Sequence, residues 1–70
     1  MLNVIYDLDG YKLGVYDGDN DSARIFDDEG RYLGRYFEHE IFNHEGMSRG
    51  WHNGNPLDAF EVLLLDFLKK

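Results

Sequence analysis

Several features that stabilise or localise small proteins are missing from this chain of 70 residues. It contains no cysteine, which excludes the disulfide framework that holds many small secreted domains together. Its longest apolar run, Val62 to Leu65, is far too short to cross a membrane. The first residues also lack the basic and apolar segments of a secretory signal. The sequence therefore predicts a cytoplasmic protein.

Basic and nucleophilic side chains are scarce as well. Seven lysines and arginines face fourteen aspartates and glutamates, and the net charge of −7 favours a basic protein surface as partner over nucleic acid or membrane. The chain has no threonine, and Ser22 and Ser48 are its only serines, so candidates for a catalytic nucleophile are few. No glycine-rich phosphate-binding motif is present. These absences predict that the protein is not an enzyme.

Aromatic side chains, in contrast, are abundant: five phenylalanines, five tyrosines and one tryptophan. A domain of this length buries only about 60% of the surface of its unfolded chain, so each buried side chain must contribute much area. Aromatic rings bury large areas and can compensate for the small core. We expect one domain over residues 1–70, and a homodimer would add further buried area.

A pattern of thirteen residues occurs twice, twenty positions apart. Residues 4–16 read VIYDLDGYKLGVY, and residues 24–36 read RIFDDEGRYLGRY. Each copy places alternating apolar residues on both sides of a turn that begins with aspartate and ends with Gly10 or Gly30. Aspartate can bond forward to the turn and glycine can adopt a positive φ, as a β-hairpin with a short turn requires. We therefore predict a four-stranded antiparallel meander built from two repeated β-hairpins over residues 1–37.

The expected pairing sets Ile5 opposite Leu13, and Ile25 opposite Leu33, and sorts the side chains onto two faces. The aliphatic face comprises Ile5, Leu13, Val15, Ala23, Ile25 and Leu33. The aromatic face comprises Val4, Tyr6, Tyr16, Phe26, Tyr32 and Tyr36. A sheet with two apolar faces needs cover or a partner on each. The sequence leaves open whether the following residues cover the aromatic face, with Phe42 and Trp51 as plugs.

The second half of the chain divides into an unpatterned segment and a helix. Residues 38–55 show no clear periodicity, and we predict an irregular or short-helical connection. Asn55 suits the N-cap of a helix and Pro56 its first position. An apolar stripe at helical spacing follows: Leu57, Phe60, Leu64, Phe67 and Leu68. We therefore predict an α+β fold in which a C-terminal helix over residues 56–70 packs on the aliphatic face of the sheet.

Two groups of side chains raise the question of metal binding. The loop between the hairpins has the spacing that begins a calcium-binding loop, with Asp17, Asp19 and Asp21. However, Ser22 stands where such a loop requires glycine, and its flanks are predicted strands. The histidines His39, His44 and His52 lie among glutamates, but their spacing matches no zinc motif. We therefore predict no metal and no cofactor, and keep a small metal-binding protein as an alternative.

Small size, acidic charge and the lack of catalytic residues favour a protein-binding module. The most concrete hypothesis is an inhibitor that occupies the basic, nucleic-acid-binding surface of a target protein, of the kind that phages and mobile elements encode. Its predicted partner contacts are Asp17, Asp19, Asp21, Tyr32, Tyr36, Glu38, Glu40 and Glu45. The other alternative is a self-associating structural or accessory subunit that uses Val62, Leu65 or the aromatic face.

Overall fold

The computed structural model describes residues 2–69, in which a six-stranded antiparallel sheet carries one helix on one of its faces. The strands follow one another in the sheet as they do in the chain. Their bounds are β1 Leu2–Tyr6, β2 Lys12–Gly18, β3 Ser22–Asp27, β4 Tyr32–Phe37, β5 Glu40–Asn43 and β6 Ser48–Trp51, and helix α1 spans Pro56–Leu68. No helix within residues 2–69 is long and apolar enough to cross a membrane. The predicted α+β class is confirmed, but the predicted number of four strands is wrong.

The two additional strands form a third copy of the hairpin repeat, inside the segment that we predicted to be irregular or short-helical. Residues 41–50 read IFNHEGMSRG, so that Asn43 takes the place of Asp7 and Asp27. The spacing between the second and third copies is shorter than that between the first two, and asparagine replaces the aspartate that opens the turn. Because of both differences, the third copy does not match when the sequence is compared with itself at a spacing of twenty residues.

All three turns are closed by the same hydrogen bonds. In the first, Asp7 Oδ1 accepts the backbone N–H groups of Asp9 and Tyr11, at 2.8 and 2.9 Å. The side-chain oxygens of Asp27 and Asn43 accept the corresponding N–H groups in their own turns. The glycine of each turn has a positive φ, 87° at Gly10, 85° at Gly30 and 84° at Gly46. The predicted left-handed glycines of the first two turns are therefore confirmed.

A bulge follows each of the first two turns and changes which side chains face the helix. Ile5 pairs with Gly14, so that Leu13 is the extra residue, and the second hairpin repeats this irregularity with Leu33 as the extra residue. The predicted pairing of isoleucine with leucine is therefore wrong in both hairpins. Because one residue of displacement moves the following side chains to the other face, Tyr36 lies on the helix-covered face instead of the predicted aromatic face.

The hydrophobic core lies between the sheet and α1. Its buried members are Ile5, Ala23, Ile25, Leu33, Tyr36, Ile41, Ala59, Phe60 and Leu63. The helix begins as predicted, with the Asn55 side chain accepting a backbone N–H of the first turn at 3.0 Å and Pro56 inside that turn. The buried stripe differs from the prediction, because Leu63 is fully buried, Leu64 is only partly buried and Leu68 is exposed.

Asp66 attaches the C-terminal half of α1 to the third hairpin. Its Oδ2 accepts the Asn43 side-chain amide at 2.9 Å, and its Oδ1 accepts Arg49 Nε–H at 2.6 Å. These two bonds hold the pKa of Asp66 below its usual value. The bonds also explain why asparagine occupies position 43, because an aspartate there would set two carboxylates against each other.

Candidate protein-interaction surface

Most of the acidic side chains that we predicted to contact a partner collect at one end of the sheet. Asp19 and Asp21 lie in the β2–β3 loop, and Glu38 lies in the neighbouring β4–β5 turn. The Glu38 N–H donates a hydrogen bond to the Asp21 carbonyl oxygen and thereby joins the two connections. Asp17 and Glu40 lie on the strands that adjoin them. We call these five residues the acidic end.

The sixth predicted acid is separated from this group by the topology. Glu45 lies in the β5–β6 turn, which is at the opposite end of the sheet because antiparallel strands alternate in direction. Glu45 therefore lies at the same end as the other two repeated turns, away from the acidic end.

Asp19 shapes the β2–β3 loop from within. Its Oδ1 accepts the backbone N–H groups of Asp21 and Ser22 at 2.9 and 3.0 Å. Both bonds lower the pKa of Asp19, and the bond from the Asp21 N–H has the larger effect. The carboxylate therefore stays charged to low pH while it holds the loop conformation, and a substitution of Asp19 would disturb structure as well as charge.

The other carboxylates of the acidic end differ in how far they are engaged. Asp17 Oδ2 accepts a hydrogen bond from Arg24 at 2.8 Å. Glu40 Oε2 accepts a hydrogen bond from the Ser48 hydroxyl at 2.7 Å. Asp21 and Glu38 are both exposed, and within residues 2–69 neither carboxylate has an ion-pair or hydrogen-bond partner. These two are the acids most available to a basic surface.

Exposed aromatic rings lie beside the acidic end, on the sheet face opposite α1. Phe37 pairs with Glu40, and Glu40 in turn pairs with Trp51, so the three side chains form one cross-strand row. Phe37 is 53% exposed and Trp51 is 71% exposed. The open question about residues 38–55 is thereby answered, because this segment extends the sheet rather than covering its aromatic face.

Neither ring was among the contacts predicted from the sequence. Trp51 appeared there only as a plug for the aromatic face, and Phe37 ended the fourth strand. The third copy of the repeat was the signal that could have placed Trp51, because it fixes strands β5 and β6 and the alternation of their side chains. Phe37 directly follows the second copy, on β4.

The two tyrosines that we predicted as partner contacts differ in exposure. Tyr36 is fully buried, its hydroxyl donates to the Asp19 carbonyl oxygen at 2.6 Å, and burial raises its pKa to about 12. The prediction of Tyr36 as a partner contact is therefore wrong, because the bulge of the second hairpin turns it into the core. Tyr32 is 36% exposed on the uncovered face, where its ring packs on Phe26.

The histidines and the loop aspartates form no metal centre in the part of the chain that the structure describes. No group of three His, Cys, Asp or Glu side chains among residues 2–69 could hold a metal ion. His39 and His52 have ring centroids 5.8 Å apart, whereas His44 lies in the third repeated turn, at the opposite end of the sheet, and packs on Phe67.

His52 is a buried histidine whose ring packs against the core. It is 5% exposed, its ring meets Tyr36 edge-on at 4.4 Å, and its Nδ1 accepts the Gly54 N–H at 2.9 Å. Within residues 2–69, no partner lies within hydrogen-bond distance of its buried Nε2. Desolvation by burial, and then the nearby His39, lower the pKa of His52. The folded protein therefore favours the neutral imidazole.

We expect the free energy of unfolding to decrease as the pH falls below about 6.5, the usual pKa of an unfolded-state histidine. Because the pKa of His52 is lowered in the folded protein, the unfolded chain binds the proton first, and stability is lost as the pH falls toward the folded pKa. Urea unfolding at a series of pH values between about 7 and 5 measures this slope. His52→Gln, whose amide oxygen can still accept the Gly54 N–H, should flatten it. An equal slope in both proteins would contradict the assignment to His52.

Comparison with known protein families, with curated proteins and with solved structures finds no match to this chain.

Proposed function

We propose that this protein is a small acidic protein-binding module that inhibits a target by occupying its basic, nucleic-acid-binding surface. The observation that carries this proposal is the position of the acidic end directly beside Phe37 and Trp51. The net charge of −7 attracts a basic surface over long range, and the exposed rings provide area that binding can bury.

Acids and rings contribute to different steps of binding in this proposal. Charges at the rim of an interface act mainly on the rate of encounter, so Asp21 and Glu38 would steer the approach of the target. Surfaces that bind nucleic acid present lysine and arginine side chains to phosphates, and a group of carboxylates can meet the same side chains. Arginine also stacks on aromatic rings, which makes Phe37 and Trp51 suitable neighbours for a basic surface.

The inhibitory part of the proposal is tested with the target itself. The immobilised full chain is used to capture proteins from its host, and mass spectrometry identifies them. We expect a captured protein that binds nucleic acid through a basic surface, and we expect this chain to displace nucleic acid from it. A captured protein that binds nucleic acid equally well in the complex would contradict inhibition.

We expect the association rate with the captured target to fall steeply as salt is raised, because screening weakens the attraction between exposed charges. Replacing Asp21 with Asn and Glu38 with Gln should slow association at low salt by about fivefold or more. Folding should remain nearly intact, because exposed acids contribute little to stability. Phe37→Ser should instead accelerate dissociation. Binding kinetics at low and high salt measure each effect.

The matched control is the double variant Asp28→Asn and Glu45→Gln. It also removes one aspartate and one glutamate charge, but at the opposite end of the sheet. Because the net charge changes equally in both double variants, a difference between them reports position rather than total charge. Two results would contradict the assignment to the acidic end. One is an association rate that does not change with salt concentration, and the other is an equal decrease of the association rate in the two double variants.

Self-association is the second candidate, and the uncovered face and the outer side of α1 favour it. Val4, Val15 and Phe26 form an apolar row across three strands of that face. On α1, Leu65 is 64% exposed, whereas the other predicted contact, Val62, is partly buried against the core. Measurement of molecular mass in solution over a range of protein concentrations separates a self-associating subunit from a monomeric inhibitor.

A further inference from the structure

Strand β1 is a free sheet edge without the usual protection against pairing. No other strand lies on its outer side within residues 2–69. The Asp7 N–H bonds across the hairpin to the Tyr11 carbonyl oxygen, and backbone groups of successive strand residues point to alternate sides. Val4 and Tyr6 therefore direct their N–H and C=O groups to the free edge. The strand contains no lysine and no proline, which commonly prevent edge pairing.

The other edge of the sheet differs in the features that decide pairing. Strand β6 has only four residues, and Gly50 has a φ of 110°. The extra residue of its irregular pairing with β5 lies on β6 itself, whereas the extra residue of the first hairpin lies on β2 and leaves β1 regular. Its Arg49 side chain is held by Asp66 of the helix. A short and irregular edge of this kind is a poor template for a further strand. The two edges are therefore not equivalent.

A groove runs along the free edge of β1, between this strand and the start of α1. Its volume is about 210 Å3, and the β1 residues from Val4 to Tyr6 face Pro56 and Leu57 across it. The side chains of the two residues with outward backbone groups are exposed, 40% for Val4 and 56% for Tyr6. A strand added to this edge would find backbone partners on β1 and apolar contacts at the start of the helix.

The continuation of the groove toward the first turn is acidic. Its lining includes Leu8, which is 97% exposed. Among residues 2–69 it also includes four carboxylates and no basic side chain; the carboxylates are those of Asp7, Asp9, Asp58 and Glu61. We call these four residues the acidic half of the groove. Charge complementarity therefore favours an occupant with lysine or arginine side chains.

A second copy of this chain does not meet that requirement. Strand β1 reads LNVIY and has no basic residue to place against the acidic half. Two copies, each with a net charge of −7, would also repel each other.

We propose that the free edge of β1 is a strand-addition site for an extended, basic segment of another protein. The segment pairs with the outward backbone groups of Val4 and Tyr6, and its lysine or arginine side chains lie against the acidic half of the groove. The groove shares no residue with the acidic end, so the site goes beyond the proposed function and stands whether or not the acidic end inhibits a target.

The probe is a short peptide in which lysine alternates with valine, added to the full chain while amide hydrogen exchange is followed by NMR. We expect exchange at Val4 and Tyr6 to slow, because their N–H groups become hydrogen-bonded to the peptide. A peptide of equal charge in which proline replaces each valine loses every second N–H group and cannot form a regular strand ladder, so it should give no such protection.

The matched variants separate backbone pairing from charge. Val4→Pro removes an outward N–H at an edge position where proline is tolerated, and we expect it to weaken peptide binding by about tenfold or more. Val4→Ala retains the N–H and should retain the protection at Tyr6. Asp9→Asn with Glu61→Gln should weaken binding of the lysine peptide, but not of a peptide in which serine replaces lysine.

Three results would overturn the proposal. The first is no binding of the lysine peptide at millimolar concentration. The second is binding without protection at Val4 and Tyr6, or binding that Val4→Pro leaves unchanged while circular dichroism confirms its fold. The third is protection of the same amides in the protein alone, together with a mass that rises with concentration, which would assign the edge to a second copy. None of these results depends on the target of the acidic end.

Discussion

Leu63→Ala should lower the free energy of unfolding by about 2–5 kcal/mol. Leu63 is fully buried at the centre of α1, and its Cδ2 lies against Gly34 of the sheet. Truncation removes buried apolar surface and leaves a cavity that neighbouring strands cannot close without moving. A domain of this length has only about 4–10 kcal/mol of total stability, so the variant should be largely unfolded or close to it. Urea unfolding followed by circular dichroism measures the change.

Leu65→Ala is the matched control on the same helix. Leu65 is 64% exposed, so the same truncation should change stability by less than about 0.5 kcal/mol. Leu64, which the sequence placed on the buried stripe, is only partly buried and should give an intermediate loss. Equal losses at positions 63 and 65 would mean that α1 is rotated about its axis relative to this structure.

Gly34→Ala should lower the free energy of unfolding by about 2–5 kcal/mol, which combines backbone strain with overpacking. Gly34 has a φ of 149°, a conformation that side chains with a Cβ rarely adopt. An added Cβ would lie 2.9 Å from Leu63 Cδ2 and would also collide with the Phe42 carbonyl oxygen. The substitution would therefore displace the backbone of β5 and the Leu63 side chain. Urea unfolding measures the loss, and the near-ultraviolet spectrum should report the looser core.

Gly50→Ala tests how much of this effect is strain alone. Gly50 holds the same position in the third copy of the repeat, its φ is 110°, and an added Cβ would meet nothing within 4 Å. We expect a loss of about 1–2 kcal/mol from backbone strain. If Gly50→Ala proved as costly as Gly34→Ala, close packing against Leu63 would not be the reason for glycine at position 34.

Both predictions have consequences for the proposed binding surfaces. The sheet needs α1 on one face to be stable, and the opposite face and both ends remain available for contacts. Substitutions at Asp21, Glu38 and Phe37 lie outside the core, so their effects on binding can be measured in folded protein. Substitutions at Asp19 or Tyr36 would mix binding with folding, because the Tyr36 hydroxyl bonds to the backbone of the loop that Asp19 holds.

The sequence by itself determined the elements whose causes are local. The turn from Asp7 to Tyr11 closes through bonds between residues at most four apart, so the same pattern predicts it wherever it occurs. The start of α1 depends on Asn55 and Pro56, which act within one helical turn. Composition likewise determined the net charge of −7, on which the proposal of a basic partner rests.

Only the tertiary structure decided the face on which Tyr36 lies and the residues that meet at the acidic end. A bulge displaces pairing by a single residue, and alternation cannot reveal it because both registers keep apolar side chains in two rows. The third hairpin depends on Asn43, whose amide complements Asp66 from a distant part of the chain. Asp21 and Glu38 meet because β3 and β4 run antiparallel and return the chain to the same end. Such contacts arise from the packing of whole elements, which no short segment of sequence contains.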